Sequence, residues 1–465
     1  MVNNSQFLQR SLFILLIGLL VSCMKQNEMI VLEANSKQAT IKIEGKTFSS
    51  SWTIMPEIKP DIFPVEIEKG KSLKVSFYTD LDSISYTLGW GDSKEFVVLL
   101  NKKDSALTRF EGVSPKVFFT DEYIQENKGK WSVEVMEAQE LLQVIFAITP
   151  TGLADVRSMI INHDTTSYYL EVLKEFRHFK DEPIVAIMDS LIQNNWYINL
   201  KADACALEFN ENSQLIKSTV YDRMRGGQNL LEPYMIQLDD FAEKSNFRTF
   251  FRKNQFLYDS LITWHERAIP TKKQWDWLEV QFPDHKYDNY RITFSPLVKG
   301  NHSTVRFNNN GFKQAVMFIA PPYRIKNVNE KVSEGLVTRI VFTEIDHNYV
   351  NPETDKYLEK VNEYFGDRNM WTSGKESKGY TSPYTIFNEY MTWSVYLLYC
   401  YDQYESENFE VINKRIVNYM INRRGFHRFD DFHNTLLKLY SERETGTTIA
   451  DLYIPLLKWA SSYKP

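Results

Sequence analysis

Val337–Thr354, VTRIVFTEIDHNYVNPET, combines a helical apolar period with charged side chains on its apolar face. On a 3.6-residue wheel Val337, Ile340, Val341, Glu344, His347 and Asn351 fall within a stripe of about 120°, and Arg339 and Asp346 point the opposite way. A carboxylate and an imidazole therefore sit inside an apolar face. Burying them is unfavourable unless they are paired, hydrogen-bonded or bound to a metal, so the stretch reads as a site-bearing helix. Asn351-Pro352 is expected to end it, because the residue before proline disfavours α geometry.

Within it, Thr343-Glu344-Ile345-Asp346-His347 has the register of H-E-x-x-H with threonine in place of the first histidine. In the intact motif two histidines bind Zn²⁺ from one helix face, and the glutamate takes a proton from the metal-bound water. Further on, Glu389 is the sole charged residue between Lys378 and Asp402, inside the aromatic run PYTIFNEYMTWSVYLLYCY. A lone carboxylate there needs a partner. Asn388-Glu389-x-x-Thr392 also looks like the N-E-x-x-S element in which thermolysin-like enzymes supply a glutamate zinc ligand from a later helix.

Segments upstream supply a sheet. YRITFSPL, STVRFNN and AVMFIAP read as strands with turns at Lys299-Gly300-Asn301 and Asn308-Asn309-Asn310-Gly311. Before them, WYINLKAD and CALEFN read as a strand pair and Ser167–Phe179 and Asp181–Asn194 as amphipathic helices. After the opening stretch the periodicity is helical to the end. Residues 38–150 differ: short alternating runs such as ATIKIEG and SLKVSFYT predict a β-sandwich, to which no chemistry is assigned. The fold class is therefore α+β, an N-terminal sandwich followed over 151–465 by a small mixed sheet, the site-bearing helix and a helical C-terminal part.

The N-terminus reads as a targeting segment. Arg10 precedes ten apolar or glycine residues, Leu12–Val21, too few to span a bilayer. The ending Leu20-Val21-Ser22-Cys23 resembles a bacterial lipobox. It implies a signal peptide over 1–22, a lipidated Cys23 as membrane partner, a tether over 23–37 and a place in the bacterial cell envelope. The balance of 54 basic and 60 acidic residues argues against nucleic acid as a partner. The most basic stretch, Lys414–Arg428, reads as the solvated side of a helix. Cys205 and Cys400 are expected to be buried and separate.

The core VFTEIDHNYVNPET, with WLEVQFP, ITFSPLVKGNHSTVRF and FNEYMTW around it, resembles a family of uncharacterised bacterial envelope proteins, a domain of unknown function. Its members often carry a full H-E-x-x-H followed by V-N-P and look like gluzincin metallopeptidases. The resemblance implies hydrolysis of a peptide or protein substrate aligned on an edge strand, with Glu344 as general base and His347 and Glu389 as zinc ligands. Thr343 would occupy the missing ligand's place. The gap can be filled in three ways: by His302 as a distant ligand, by Glu344 itself as a ligand, or by no metal at all. In the last case a pseudoenzyme would use the same cleft to hold peptide or glycan.

The remaining histidines carry less. Glu175 and His178 repeat the E-x-x-H spacing in a charged helix and are expected at the surface; two such pairs invite a di-iron reading, against which the intervening strands and the 169-residue gap argue. His163, His265 and His285 are read as surface residues, and His427 and His433 have no partner in view.

Overall fold

The structure is a computed structural model and describes residues 29–154, 160–163, 167–323 and 325–463, without the side chains of 47–51. Cys23, the signal segment and the start of the tether lie outside the described residues. The chain divides into two compact units at Ser114/Pro115.

The first unit holds eight strands in two four-stranded sheets. They are β1 (Val31–Ala34), β2 (Gln38–Ile43), β3 (Lys46–Thr53), β4 (Asp61–Glu66), β5 (Ser72–Tyr78), β6 (Ser83–Gly89), β7 (Ser93–Leu100) and β8 (Asp104–Val113). The sheets run β1-β7-β8-β4 and β3-β2-β5-β6. Their facing side chains share one core, in which Phe77 of β5 meets Phe96 of β7 at 5.0 Å between ring centroids. Alternation along each strand supplies it, as Phe96, Val98 and Leu100 point inward and their neighbours outward.

Two boundaries differ from the expectation. Val31–Ala34, assigned to the tether, is a strand paired in parallel with β7. Residues 115–150 belong to the second unit rather than to the sandwich. There β9 (Lys130–Glu134) pairs with β12 (Asn289–Phe294), and α1 (Glu137–Ile148) is a buried helix. Alternation in a strand records that one face is buried, not which sheet it joins.

The second unit is built on a sheet of order β13-β14-β12-β9. Here β9, β12 and β14 (Phe312–Ile319) are parallel, and β13 (Ser303–Asn309) lies antiparallel at the edge. Both faces of β14 are covered. Ala315, Met317 and Ile319 join the core that contains the site helix, whereas Val316 and Phe318 pack with Cys205, Tyr221 and Phe307. That explains its nearly continuous apolar run. The stretch WYINLKAD is not a strand but α2 (Tyr197–Asp203), and the strands after it are β10 (Leu207–Phe209) and β11 (Leu215–Lys217). In α2 Tyr197, Leu200 and Lys201 are buried together, a helical spacing that the β-rich composition concealed.

Farther along come α3 (Gln255–Ala268), α4 (Glu330–Asp355), α5 (Pro383–Gln403), α6 (Ser406–Asn422), α7 (Phe429–Ser441) and α8 (Tyr453–Ala460). Helix α4 is the site helix. Asn329 caps it by accepting from the Val332 amide at 2.8 Å, with Glu330 in the first turn. It does not stop at Asn351 but runs through Pro352 to Asp355. Proline removes the amide that would bond the Asn348 carbonyl, and the Tyr287 hydroxyl donates to that carbonyl instead at 3.1 Å. Helix α5 begins at Pro383 behind a capping box of Ser382 and Thr385. Cys205 and Cys400 are both buried and free. No described helix is long and apolar enough to cross a membrane.

Candidate functional site

Helices α4 and α5 pack in opposite directions. Tyr396 donates to the Gly335 carbonyl near one end, and Thr354 donates to Asn388 Oδ1 at 2.7 Å near the other. His347 and Glu389 therefore meet midway, with His347 Nε2 3.9 Å from Glu389 Oε1. Glu344 lies one turn before His347 and is half-buried. The three residues read from the sequence are thus gathered at one place.

What surrounds them differs from a metal centre. Arg424, just beyond α6, sets Nη1 2.7 Å from Glu389 Oε2, and the Trp393 indole donates to the same oxygen at 3.1 Å. His347 Nδ1 contacts Asn351 Oδ1 at 3.2 Å. The Thr343 hydroxyl turns back to donate to the Arg339 carbonyl at 3.0 Å. Among the described residues no group of three or more His, Cys, Asp or Glu side chains could hold a metal ion. A guanidinium already neutralises the carboxylate that would have to ligate zinc, and the hydroxyl at the missing histidine's position is satisfied by backbone. The residues present do not fit a zinc ion.

Arg424 is placed by the end of α6. The Phe426 amide reaches back to the Met420 carbonyl at 3.0 Å, and Gly425 between them adopts φ +76°. The turn swings Arg424 inward over the rings of Trp393 and Tyr380 at 4.9 and 5.3 Å. Arg424 is therefore not on a solvated helix face, although its neighbour Arg423 is exposed.

Electrostatics bring in Lys201, which the sequence reading missed, and bear on His302, which it offered as a distant ligand. Burial raises the Glu344 carboxyl above its ordinary pKa, against which His347, Lys201 and Arg424 pull it down. Lys201 of α2 is fully buried and donates to the Asn301 carbonyl at 2.7 Å. Burial pulls its amine down to about 7, with Glu344 opposing. His302, at the start of the edge strand, is pushed down to about 3 by burial first and then by Lys201 and Arg339. Its Nε2 has no hydrogen-bond partner among the described residues. The only sequence cue to Lys201 was a lysine set between Leu200 and Ala202 in an apolar run.

The helical wheel misplaced two residues. Asp346, read as pointing away from the buried stripe, is fully buried with both carboxylate oxygens unpartnered among the described residues. Burial lifts its pKa far above the usual carboxylate range, with Glu344 and Glu389 adding to the shift. Arg339 lies over the Trp393 and Tyr419 rings at 5.2 and 5.1 Å, on the site side. A wheel finds one buried stripe, whereas α4 is enclosed by the sheet, α5 and α6 and is buried nearly all round.

Of the histidines read as surface residues, His265 is instead buried. His265 and His433 are fully buried, and neither ring nitrogen of either has a partner among the described residues. His285 contacts Glu353 at 3.2 Å. Glu175 and His178 are exposed.

No family model, curated protein or solved structure matches the chain.

Proposed function

We propose that this chain is a peptidase-like protein of the bacterial envelope, tethered through a lipidated Cys23, whose cleft holds a peptide or glycan without hydrolysing it. One observation carries the reading: Arg424 Nη1 at 2.7 Å from Glu389 Oε2, a cation built into the protein beside the carboxylate that the resemblance would make a zinc ligand. A guanidinium supplies charge compensation but no open coordination position for water, so the site keeps its shape without Lewis acidity. The edge strand β13 supports the binding half of the reading, since it leaves one side of its backbone free to align an extended chain. The N-terminal unit, read as a sandwich, serves as spacer or docking module.

The rival reading is an active zinc metallopeptidase with an altered site. Glu344, with its carboxyl raised by burial and lying one turn from His347, is what favours it.

Zinc content of the purified protein after incubation with Zn²⁺, measured beside His347→Ala, separates the two. Near-zero occupancy in both is expected. Stoichiometric zinc that is lost in His347→Ala, with peptide hydrolysis abolished by Glu344→Gln, would replace the binding reading by the metallopeptidase.

A further inference from the structure

The guanidinium of Arg339 lies over the Trp393 and Tyr419 rings, which are themselves stacked at 5.4 Å, and it is half-buried. It has no hydrogen bond or ion pair among the described residues. Its neighbour Arg424, over the same Trp393 ring, is neutralised by Glu389, and Lys201 acts on Glu344. Arg339 is therefore an uncompensated charge beside the site among the described residues, as is Arg225, which also acts on Glu344. Its planar fork is held by aromatic faces while its N–H donors are unused, the arrangement that suits bidentate capture of a carboxylate.

The edge strand packs on the same helix. His302, just before β13, feels the Arg339 charge, and Thr304 on the same strand contacts Asn348 of α4 at 3.5 Å.

We propose that Arg339 is the carboxylate-binding subsite of the cleft, and that the occupant is an extended peptide whose C-terminal or acidic side-chain carboxylate docks on its guanidinium. This deepens the binding reading above and rests on it. A peptide is favoured over an acidic glycan because the free side of β13 offers main-chain donors and acceptors in register for another strand.

Calorimetric titration of the purified protein tests this with four probes: a short alanine-serine peptide with a free C-terminus, the same peptide amidated, the amidated peptide with a central aspartate, and trigalacturonate. One or both carboxylate-bearing peptides should bind at least about tenfold more tightly than the plain amide, and which of them does so identifies the carboxylate. Arg339→Gln should erase the difference, and Arg339→Lys, which keeps the charge but loses the fork, should restore only part of it. Excess acetate should weaken the carboxylate-bearing peptide selectively in the unaltered protein, so the test does not depend on a variant's folding. Equal binding of all three peptides, or a preference that survives Arg339→Gln, would overturn the subsite and leave the binding reading standing. Binding of trigalacturonate alone would overturn the peptide. Binding of none would overturn both.

Discussion

Glu389 and Arg424 are paired at 2.7 Å, with side chains only 13% and 18% exposed, and the Trp393 indole donates to the same carboxylate oxygen. The aromatic helix α5 can carry a carboxylate because that charge is neutralised from outside the helix. Breaking the pair from one side strands a buried charge, whereas replacing both partners by apolar groups removes the need for either.

Arg424→Met alone should destabilise the protein by about 3 kcal/mol. The double variant Glu389→Leu, Arg424→Met should be less destabilised than Arg424→Met. Urea denaturation of both checks this, and losses that simply add would show that the two residues do not act as a pair.

His433 stacks on Phe429 with ring centroids 6.0 Å apart, and both its nitrogens are buried and unpartnered among the described residues. Burial pushes its pKa from 6.5 down to about 3, so the unfolded chain binds more protons than the native one between these values. Its contribution is intact above pH 6.5 and is lost as pH falls toward 3. His433→Leu should make the acid limb of stability less steep, by about 1 kcal/mol per pH unit. An unchanged limb in denaturation series run from neutral pH downward would remove His433 as a contributor.

Glu140 works in the other direction. Its Oε1 accepts from the Tyr168 hydroxyl at 2.6 Å and its Oε2 has no partner among the described residues, and burial raises its pKa from 4.5 to about 7. The native state then holds the proton that the unfolded chain releases, so this contribution is full below pH 4.5 and declines as pH rises to about 7. Glu140→Gln, which keeps an acceptor for Tyr168, should gain on the parent by up to about 3 kcal/mol between acid and mildly alkaline pH. Parallel pH profiles for the two proteins would contradict this.

Gly425 has φ +76°, and a Cβ there would overlap the Ser373 carbonyl oxygen, which is backbone and cannot swing aside. Gly425→Ala should cost about 2 kcal/mol through strain and displacement of the turn. Because that turn aims Arg424, its effect should be smaller once the pair has been replaced by Leu and Met. Thermal melts of the single and combined variants measure the difference.

The sequence order of strands, site helix and helical tail was legible because each element carries its own period. Glu344, His347 and Glu389 were legible as a group because charges in apolar runs stand out. The nature of the group was not. Arg424 sits among exposed basic residues and differs from them only through the left-handed turn at Gly425, which a helical wheel does not represent. Lys201 comes to the site from α2, through tertiary placement rather than spacing. Asp346 was misread because, once a helix is covered from several sides, polar residues outside the main stripe are buried too.

Pro352 leaves a rung missing from the hydrogen-bond ladder of α4, and the Tyr287 hydroxyl fills it from a neighbouring segment. The helix runs unbroken through that point. Tyr287→Phe would leave the Asn348 carbonyl without this donor, between the half that carries His347 and the half that carries Thr354. One rung of the helix that carries His347 is thus completed by an oxygen that belongs to neither α4 nor α5.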